Sequence, residues 1–594
     1  MRSMEFTGLP GRMVIMKDLS KIMGEFPYQQ PTVFNFYLPQ YAPDGLPDGM
    51  VAPEFQIFDA PLVVSFAEAM ISMIKNQGLS DYDGGYGIPS WNCKGSFRLL
   101  KNFDTMEELW SQMDLLLTGG RLGPMKEDIV SFAGTRVGDS VCIQSAQYAV
   151  VLSPHFHTLG GVLPEGPRSP LGDHGSATSS SAGYKAMVVL YLFGGVGSFN
   201  MPVPLECALY DQYVSIRKTV ALQPSQLLEI NSDGQACTAI GIHGQLTIVK
   251  ELYDDGDAAF VTNVGNLNEP RLGHPSARTC PGGFSHNDMQ HASQTLYCQI
   301  GMNFKNGGGG RMADALAASQ VTYSVKSFSL SGQAAWSEGQ VTKRSVISGT
   351  QTEGGFHPDP RAQRIINNLT TVELSSIYAK EYINAFGESV NSFNGIQEAL
   401  ESGDSLLQIP ANNYGWMEQL KQVARLVAAR TSRFAERDFF FFVGFGGFDM
   451  HSNLEGRLFS MFGTMDMGIR AFVNEMKAQG IWENVLLATQ SDFARTLDPN
   501  ADMGTDHAWA GNHFILSGAV NGGRIYNQFP EPLAAGNPAD LGRGRLIPKY
   551  PYESYMVPIA KWLGVEYGRL GTVFPNFPNF NSSFIIPQLN LISS

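Results

Sequence analysis

Four uninterrupted apolar runs, each stopping at glycine or a polar group, limit what this chain can fold into. They are "YKAMVVLYLFGG" at 184–195, "AAFVTNVGN" from Ala258, "DFFFFVGFGG" at 438–447 and "NVLLATQS" at 484–491. A strand with one wet face alternates apolar and polar residues, whereas a run that is apolar throughout belongs to a strand covered on both faces, as in parallel sheets flanked by helices. Between the third and fourth runs, Leu458, Met461, Phe462, Met465, Ile469, Phe472, Val473 and Met476 recur at helical spacing, which predicts an amphipathic crossover helix. Strand, helix and strand in that order predict an α/β fold: a doubly wound, mostly parallel sheet whose ligands gather at the carboxyl ends of the strands.

At 594 residues the chain is too long for one core and divides into domains. Residues 1–160 carry helical periodicity in "APLVVSFAEAMISMIKNQ" and "TMEELWSQMDLLLTGG", so a largely helical region precedes the sheet. Residues 161–183 are rich in Pro, Gly and Ser and read as a linker, which leaves 184–594 as the α/β domain. A formal charge of −14 argues against a nucleic-acid partner, since phosphate-backbone binding needs a basic surface. No run is long and apolar enough for a transmembrane segment, and "MRSMEFTGLPGRMVIMKDLS" lacks the apolar core of a signal peptide. The six cysteines show neither zinc-ribbon spacing nor a dense disulfide framework. "NFKNGGGGRMADALAASQ" lacks the ending of a phosphate-binding P-loop and reads as a loop before a helix.

The chemistry concentrates after the third and fourth runs. "GGFDMHSN" delivers Asp449 and His451, two residues apart and hence on one side of an extended segment. "SDFARTLDPNADMGTDHAWAGNHF" delivers Asp492 directly after a strand, then Asp506, His507 and His513. Carboxylates and imidazoles converging on one point compete unless a cation joins them, and a mixed oxygen and nitrogen set suits a divalent metal. The competing reading of each residue is a turn former or a satisfied polar group. If both clusters serve one site, the carboxylates of Asp449 and Asp492 lie within about 10 Å, a span that one or two shared cations can bridge.

"GGFDMHSN", "SDFAR" and "TDHAWAGNHFILSGAVNGGRIY" closely resemble the signature blocks of the domain-of-unknown-function family fifteen-oh-one (DUF1501), with further likeness in "LVAARTSRFAERDFFFFVGFGGFD" and "YESYMVPIAKWLGVEYGRLGTVFPNF". The resemblance implies the alkaline-phosphatase and sulfatase-like superfamily, export from the cell, and hydrolysis of phosphate or sulfate esters. It makes Asp449, His451, Asp492, Asp506, His507 and His513 the candidate ligands of zinc, manganese, magnesium or calcium. It also gives Ser285, in "GGFSHNDMQHASQTLY", as a candidate nucleophile with His286 beside it; the competing reading of Ser285 is a helix N-cap. Where relatives carry a Gly-Gly-x-Asp block this chain has "GGVGSFN", so Gly197 replaces an expected ligand, with Ser198 or Asn200 as weak substitutes. The first 160 residues, through "QQPTVFNFYLPQYAPDG", "DLLLTGGRL" and "AVVLSPHFHT", are similar to the C-terminal end of the family numbered eighteen-hundred. That likeness implies a fusion of two neighbours and an association with a protein of that second family.

Two functions follow as expectations. One is a metal-dependent hydrolase of small phosphorylated or sulfated esters; the other is a catalytically weak or inactive scaffold on the same fold, for which Gly197 is the argument.

Overall fold

A computed structural model describes residues 4–6, 37, 41–43, 46–47, 49–58, 60–75, 95–97, 104–133, 140–159, 162–167, 183–270, 283–297, 306–319, 323–332, 334–342, 344–347, 358–401, 409, 415–433 and 435–593. The chain is a mixed α/β protein of two compact units: Met1–Ser176 with Thr352–Glu401, and Ala177–Gln351 with Ser402–Ser594.

The second unit is built on a nine-stranded sheet. Its strands are β1 (Lys185–Phe193), β2 (Ala258–Gly265), β3 (Val325–Ser329), β4 (Arg344–Val346), β5 (Arg437–Gly446), β6 (Val485–Ser491), β7 (Gly511–Leu516), β8 (Arg524–Tyr526) and β9 (Tyr550–Pro551). They lie in the order β4-β3-β5-β1-β6-β7-β2-β8, with β9 beside β2. Only β7 runs against its neighbours; the other pairings are parallel. All four apolar runs are therefore strands of one sheet, and three of them, β5, β1 and β6, are adjacent with their carboxyl ends at the same edge.

Burial on both faces explains the missing alternation. Met187, Val189 and Tyr191 of β1 pack in one cluster with Met312, Leu316, Tyr555 and Met556, while Val188, Leu190 and Leu192 between them are buried as well. The expected crossover helix is α2 (Leu454–Ala478), whose Leu458, Phe462, Met465, Ile469, Phe472, Val473 and Met476 are buried. The glycine run at 307–310 opens a helix, Gly308–Ala317, and a side chain on Gly307 or Gly310 would collide with the backbone at Ala335–Trp336 or Glu338. Those glycines serve packing. A disulfide joins Cys207 to Cys237, which the cysteine spacing alone does not indicate.

The first unit is largely helical, with helices at Ala60–Lys75, Met106–Met113, Lys126–Ala133 and Ser140–Val151. Its composition corrects the domain boundary drawn from sequence. Residues 352–401, counted there with the α/β domain, contribute Ile365, Ile366, Leu369, Tyr382, Ile383 and Phe386 to one core with Val63, Trp110, Met113, Ile129 and Val150. The stretch read as linker is partly ordered into this unit too: Pro164–Pro167 pairs antiparallel with Val372–Leu374, and the Leu163 N–H donates to Ser375 Oγ at 2.9 Å. Residues 161 and 168–182 of that stretch lie outside the described residues. Amphipathic periodicity tells that a helix has a buried face, not which core receives it. Among the described residues, no helix is long and apolar enough to cross a membrane.

This interleaving yields a test. A protease site engineered within 168–182 should give, after cleavage, two pieces that co-elute on size exclusion and separate only in denaturant, because 360–386 is embedded in the core of the first unit. Separate elution under native conditions would contradict the shared core.

Candidate metal centre

Beyond β5 the chain continues as an extended segment in which Phe448 and Met450 are buried, so Asp449 and His451 face the other way. Beyond β6 come Asp492, Phe493 and Arg495; the stretch around Arg495 runs antiparallel to Asp506–His507, with Ala508 N donating to Ala494 O at 2.8 Å and Thr496 N to Asp506 O at 2.8 Å. The fourth contributor is the start of α1 (His286–Thr295), whose first residue is His286. Between β1 and these segments stand Gly194 and Gly195, at φ +111° and +77°. A Cβ on Gly194 would overlie the Asp449 amide and one on Gly195 the Phe493 ring, so this close approach requires glycine.

Three imidazoles surround Asp449. His451 Nε2 lies 2.9 Å and His507 Nε2 3.4 Å from Asp449 Oδ1, and His286 Nε2 lies 3.5 Å from Asp449 Oδ2. The opposite nitrogen of each ring is held by an acceptor. His286 Nδ1 donates to Asp492 Oδ2 at 2.8 Å, His451 Nδ1 to Asp506 Oδ1 at 3.0 Å and His507 Nδ1 to the Phe284 carbonyl at 2.6 Å. Each hydrogen bond puts a proton on Nδ1 and turns Nε2 toward one carboxylate, which is how metal-binding histidines are oriented. His286, Asp449 and His507 offer donor atoms all within 4.8 Å of one another.

The surrounding groups fix this arrangement. Arg495, buried, donates to Asp449 Oδ1 at 2.9 Å and also to the carbonyls of Gly194 and Thr505. Asp492 is fully buried and accepts from Gly194 N at 3.2 Å and Gln290 Nε2 at 2.9 Å besides His286. The Phe493 ring lies tilted against those of His507 and His286, with centroids 4.5 and 4.8 Å away. Burial alone would raise the Asp449 carboxyl, but His286, His507 and the Arg495 charge outweigh it and hold Asp449 well below the usual carboxylate range. Burial likewise opposes charge on His286, yet the flanking carboxylates of Asp449 and Asp492 push it up to about 9.

The residues fit a cation. His286 Nε2 is buried and makes no hydrogen bond among the described residues, although it faces two other potential donors to a metal. Two imidazole nitrogens and a carboxylate oxygen are the donor chemistry of zinc and similar first-row metals.

The sequence-derived residues thus divide. Asp449, His451, Asp492, Asp506 and His507 come together, and one imidazole, His286, stands between the Asp449 and Asp492 carboxylates. Asp492 and Asp506 act as acceptors that orient His286 and His451 rather than facing the centre. His286, expected beside a nucleophile, joins the donor set. His513 does not: it points into the sheet, buried, with Thr489 Oγ1 and the Tyr552 hydroxyl each 3.4 Å away. Ser285 is the N-cap of α1, its Oγ accepting from Asp288 N at 3.4 Å. The expected loss of a ligand at Gly197 finds a different geometry, since a Cβ there would point to Leu458 and Leu454 of α2. Ser198 Oγ accepts from Asn512 N and Asn200 Oδ1 from Arg217, so neither substitutes for a ligand. Sequence reasoning misses Arg495, Gln290 and Arg543, whose Nη1 donates to Asp506 Oδ2 at 2.5 Å; an arginine three residues after Asp492 is the one available signal.

Fold and site together define a mixed α/β protein with a histidine and aspartate centre at the carboxyl edge of its sheet. Residues 396–539 match the model of a family described as a protein of unknown function (DUF1501). No curated protein matches the sequence. Among solved structures, the chain aligns with Ps i-CgsB in complex with k-i-k-neocarrahexaose at 9% identity, over 67% of this chain and 77% of that one, with a TM-score of 0.30. It also aligns with the PH0037 protein from Pyrococcus horikoshii at 10% identity, over 57% and 87%, with a TM-score of 0.22. Superpositions this loose carry no information about substrate.

His513 gives a pH test away from the donor set. Burial lowers it from 6.5 to about 3, so the unfolded chain binds a proton here that the folded chain refuses. Its contribution to stability is complete above 6.5 and is lost at about 1.4 kcal/mol per pH unit as pH falls toward 3. His513→Gln should therefore flatten the fall in urea midpoint between pH 6.5 and 4; an unchanged slope would show that His513 is charged in the folded protein.

Proposed function

We propose that this protein is a divalent-metal-dependent hydrolase acting on phosphate or sulfate esters, in the manner of the alkaline-phosphatase and sulfatase-like superfamily. The observation that carries the reading is the common design of the three imidazoles, each held at Nδ1 by an acceptor and turned at Nε2 toward Asp449. His286, His507 and Asp449 would hold the ion, with His451 on the far side of the same carboxylate. Imidazole donors favour zinc over manganese, magnesium or calcium, which prefer oxygen ligands. A bound divalent cation polarises an ester oxygen and lowers the pKa of an attacking hydroxyl or water.

The chain's own groups do the rest. Asp492 and Asp506 fix the tautomers of His286 and His451, Arg495 holds Asp449 in place, and Phe493 keeps water from one side of the His286 and His507 rings. Ser285, adjacent to His286, is the candidate nucleophile in this reading, and its hydroxyl would have to leave the Asp288 amide to act. The superfamily assignment, and the likeness of residues 1–160 to the eighteen-hundred family with the association it implies, rest on sequence motifs.

A second reading, a catalytically weak or inactive scaffold, draws on the charge balance. Asp449, Asp492 and Asp506 face Arg495, Arg543 and a His286 whose pKa is raised, so the cluster can be neutral with no ion. Gly197 does not help choose, because its position faces Leu458.

Metal analysis after extensive dialysis, with turnover of p-nitrophenyl phosphate and p-nitrophenyl sulfate, separates the two. The hydrolase reading expects retained metal, loss of it in His286→Ala and His507→Ala, and turnover that chelation abolishes and metal restores. Ser285→Ala should cost roughly a hundredfold or more if the hydroxyl is the nucleophile. Metal-free protein that hydrolyses neither ester, even with added zinc or manganese, would leave the scaffold.

A further inference from the structure

Asp506 is held from two sides. Its Oδ1 accepts from His451, and its Oδ2 accepts from Arg543 Nη1 at 2.5 Å. Arg543 thus stands one carboxylate away from the imidazole that touches Asp449. Its side chain is 41% exposed, and no other hydrogen bond of its guanidinium is found among the described residues. A guanidinium carries five N–H donors, so this one keeps donors that no described residue takes, on a partly exposed side chain beside Asp506.

The backbone that presents it is unusual. Gly542, Arg543 and Gly544 all have positive φ, at +101°, +61° and +69°, a conformation that costs a non-glycine residue free energy and persists only when its surroundings impose it. The surroundings do. Asp540 Oδ1 accepts the N–H groups of Gly542 at 2.8 Å and Gly544 at 2.9 Å, and its Oδ2 accepts that of Gly536 at 3.0 Å. The carbonyls of Arg543 and Gly544 accept from Asp498 N and Leu497 N, both at 3.2 Å, which straps the loop to the segment carrying Arg495. A side chain on Gly544 would collide with Leu497 Cβ. Two residues on, Arg545 Nε donates to the His507 carbonyl at 3.0 Å. Alternate arginines of one loop therefore grip Asp506 and His507.

A surface salt bridge needs none of this. An exposed Arg–Asp pair contributes little to stability, and a flexible loop would make it as well. The geometry points to Arg543 as the residue that recognises the anionic head group of the substrate: a tetrahedral oxyanion, phosphate or sulfate, received by the guanidinium N–H groups that Asp506 leaves free. Arginine suits the role because its planar fork meets two oxygens of such a group at once, and tethering one nitrogen to Asp506 orders the fork before the anion arrives. Asp506 then both orients His451 and positions Arg543. Arg543 lies beyond the matched segment 396–539. This assignment rests on the proposed hydrolase reading, to which it adds the residue that recognises the substrate's head group.

The test measures binding of inorganic phosphate and of inorganic sulfate by calorimetry to metal-supplemented wild type, Arg543→Ala and Arg543→Lys, with metal content, melting temperature and KM and kcat for p-nitrophenyl phosphate and sulfate on the same samples. Wild type should bind at least one of the two anions, and the anion bound more tightly identifies the ester class. Arg543→Ala should weaken that binding roughly ten- to a hundredfold, the loss expected for charge-assisted hydrogen bonds, with metal content and melting temperature retained. KM should rise more than kcat falls. Arg543→Lys, which keeps the charge and loses the fork, should fall between. Anion binding in wild type that survives unchanged in Arg543→Ala overturns this inference and leaves the hydrolase reading standing. Loss of anion and metal together in Arg543→Ala also overturns it, since Arg543 would then act only by holding Asp506. Wild type that binds metal but neither anion, and hydrolyses neither ester, removes both.

Discussion

A carboxylate met by a buried guanidinium on one side and three imidazoles on the others is the constraint around which the second unit is arranged. Asp449 sits beyond β5 and Arg495 beyond β6, where they pair, while Gly194 after β1 accepts from Arg495 with its carbonyl and donates its N–H to Asp492. These segments meet because β5, β1 and β6 are parallel neighbours. The approach is close enough that the β1 segment tolerates no Cβ at Gly194 or Gly195. Asp449 itself stays partly exposed, and Arg495 is one of three groups, after His286 and His507, that outweigh burial and hold its carboxyl low. Removing Arg495 would leave the two imidazoles to hold the carboxylate ionised.

Much of this arrangement is legible in the sequence, for an identifiable reason. Strands buried on both faces leave apolar runs, a crossover helix leaves its spacing, and the order of the two predicts parallel neighbours with functional groups at one edge. Asp449, His451, Asp492, Asp506 and His507 are accessible because each follows such a run or lies in the loop between strands. What escapes depends on direction rather than position. His513 is in the same motif as His507, but it lies within β7, where it is buried in the sheet among Thr489 and Tyr552. Gly197 lies within three residues of Gly194, yet its Cα–Cβ direction leads to Leu458. Arg543 is remote in sequence and is brought to Asp506 by a loop whose left-handed residues no periodicity announces.

The division into units shows the same limit at larger scale. Residues 360–386 lie within 184–594, which the sequence reading assigns as a whole to the α/β domain together with α2. The apolar residues of 360–386 fit against Trp110, Met113 and Ile129, whereas those of α2 are buried in the second unit. Local pattern encodes how much surface must be hidden; the complementary shape that hides it comes from residues hundreds of positions away. A composition shift at 161–183 therefore marks one crossing between units and misses the return.

The charge balance of the centre links the two functional readings. Three carboxylates are offset by Arg495 and Arg543, which leaves one negative charge to be met either by a proton on His286 or by a share of a cation's charge. Both demand the same atom, because the ion would bind the His286 Nε2 lone pair that the proton otherwise occupies. Metal and proton therefore exclude each other at this ring, as at any site whose ligands must be deprotonated to bind. A scaffold that needs only the protonated state would gain nothing from turning His507 Nε2 as well toward the same carboxylate, since a single imidazolium already restores neutrality. The second convergent ring, held at Nδ1 by the Phe284 carbonyl, makes sense when the partner has more than one coordination position to fill.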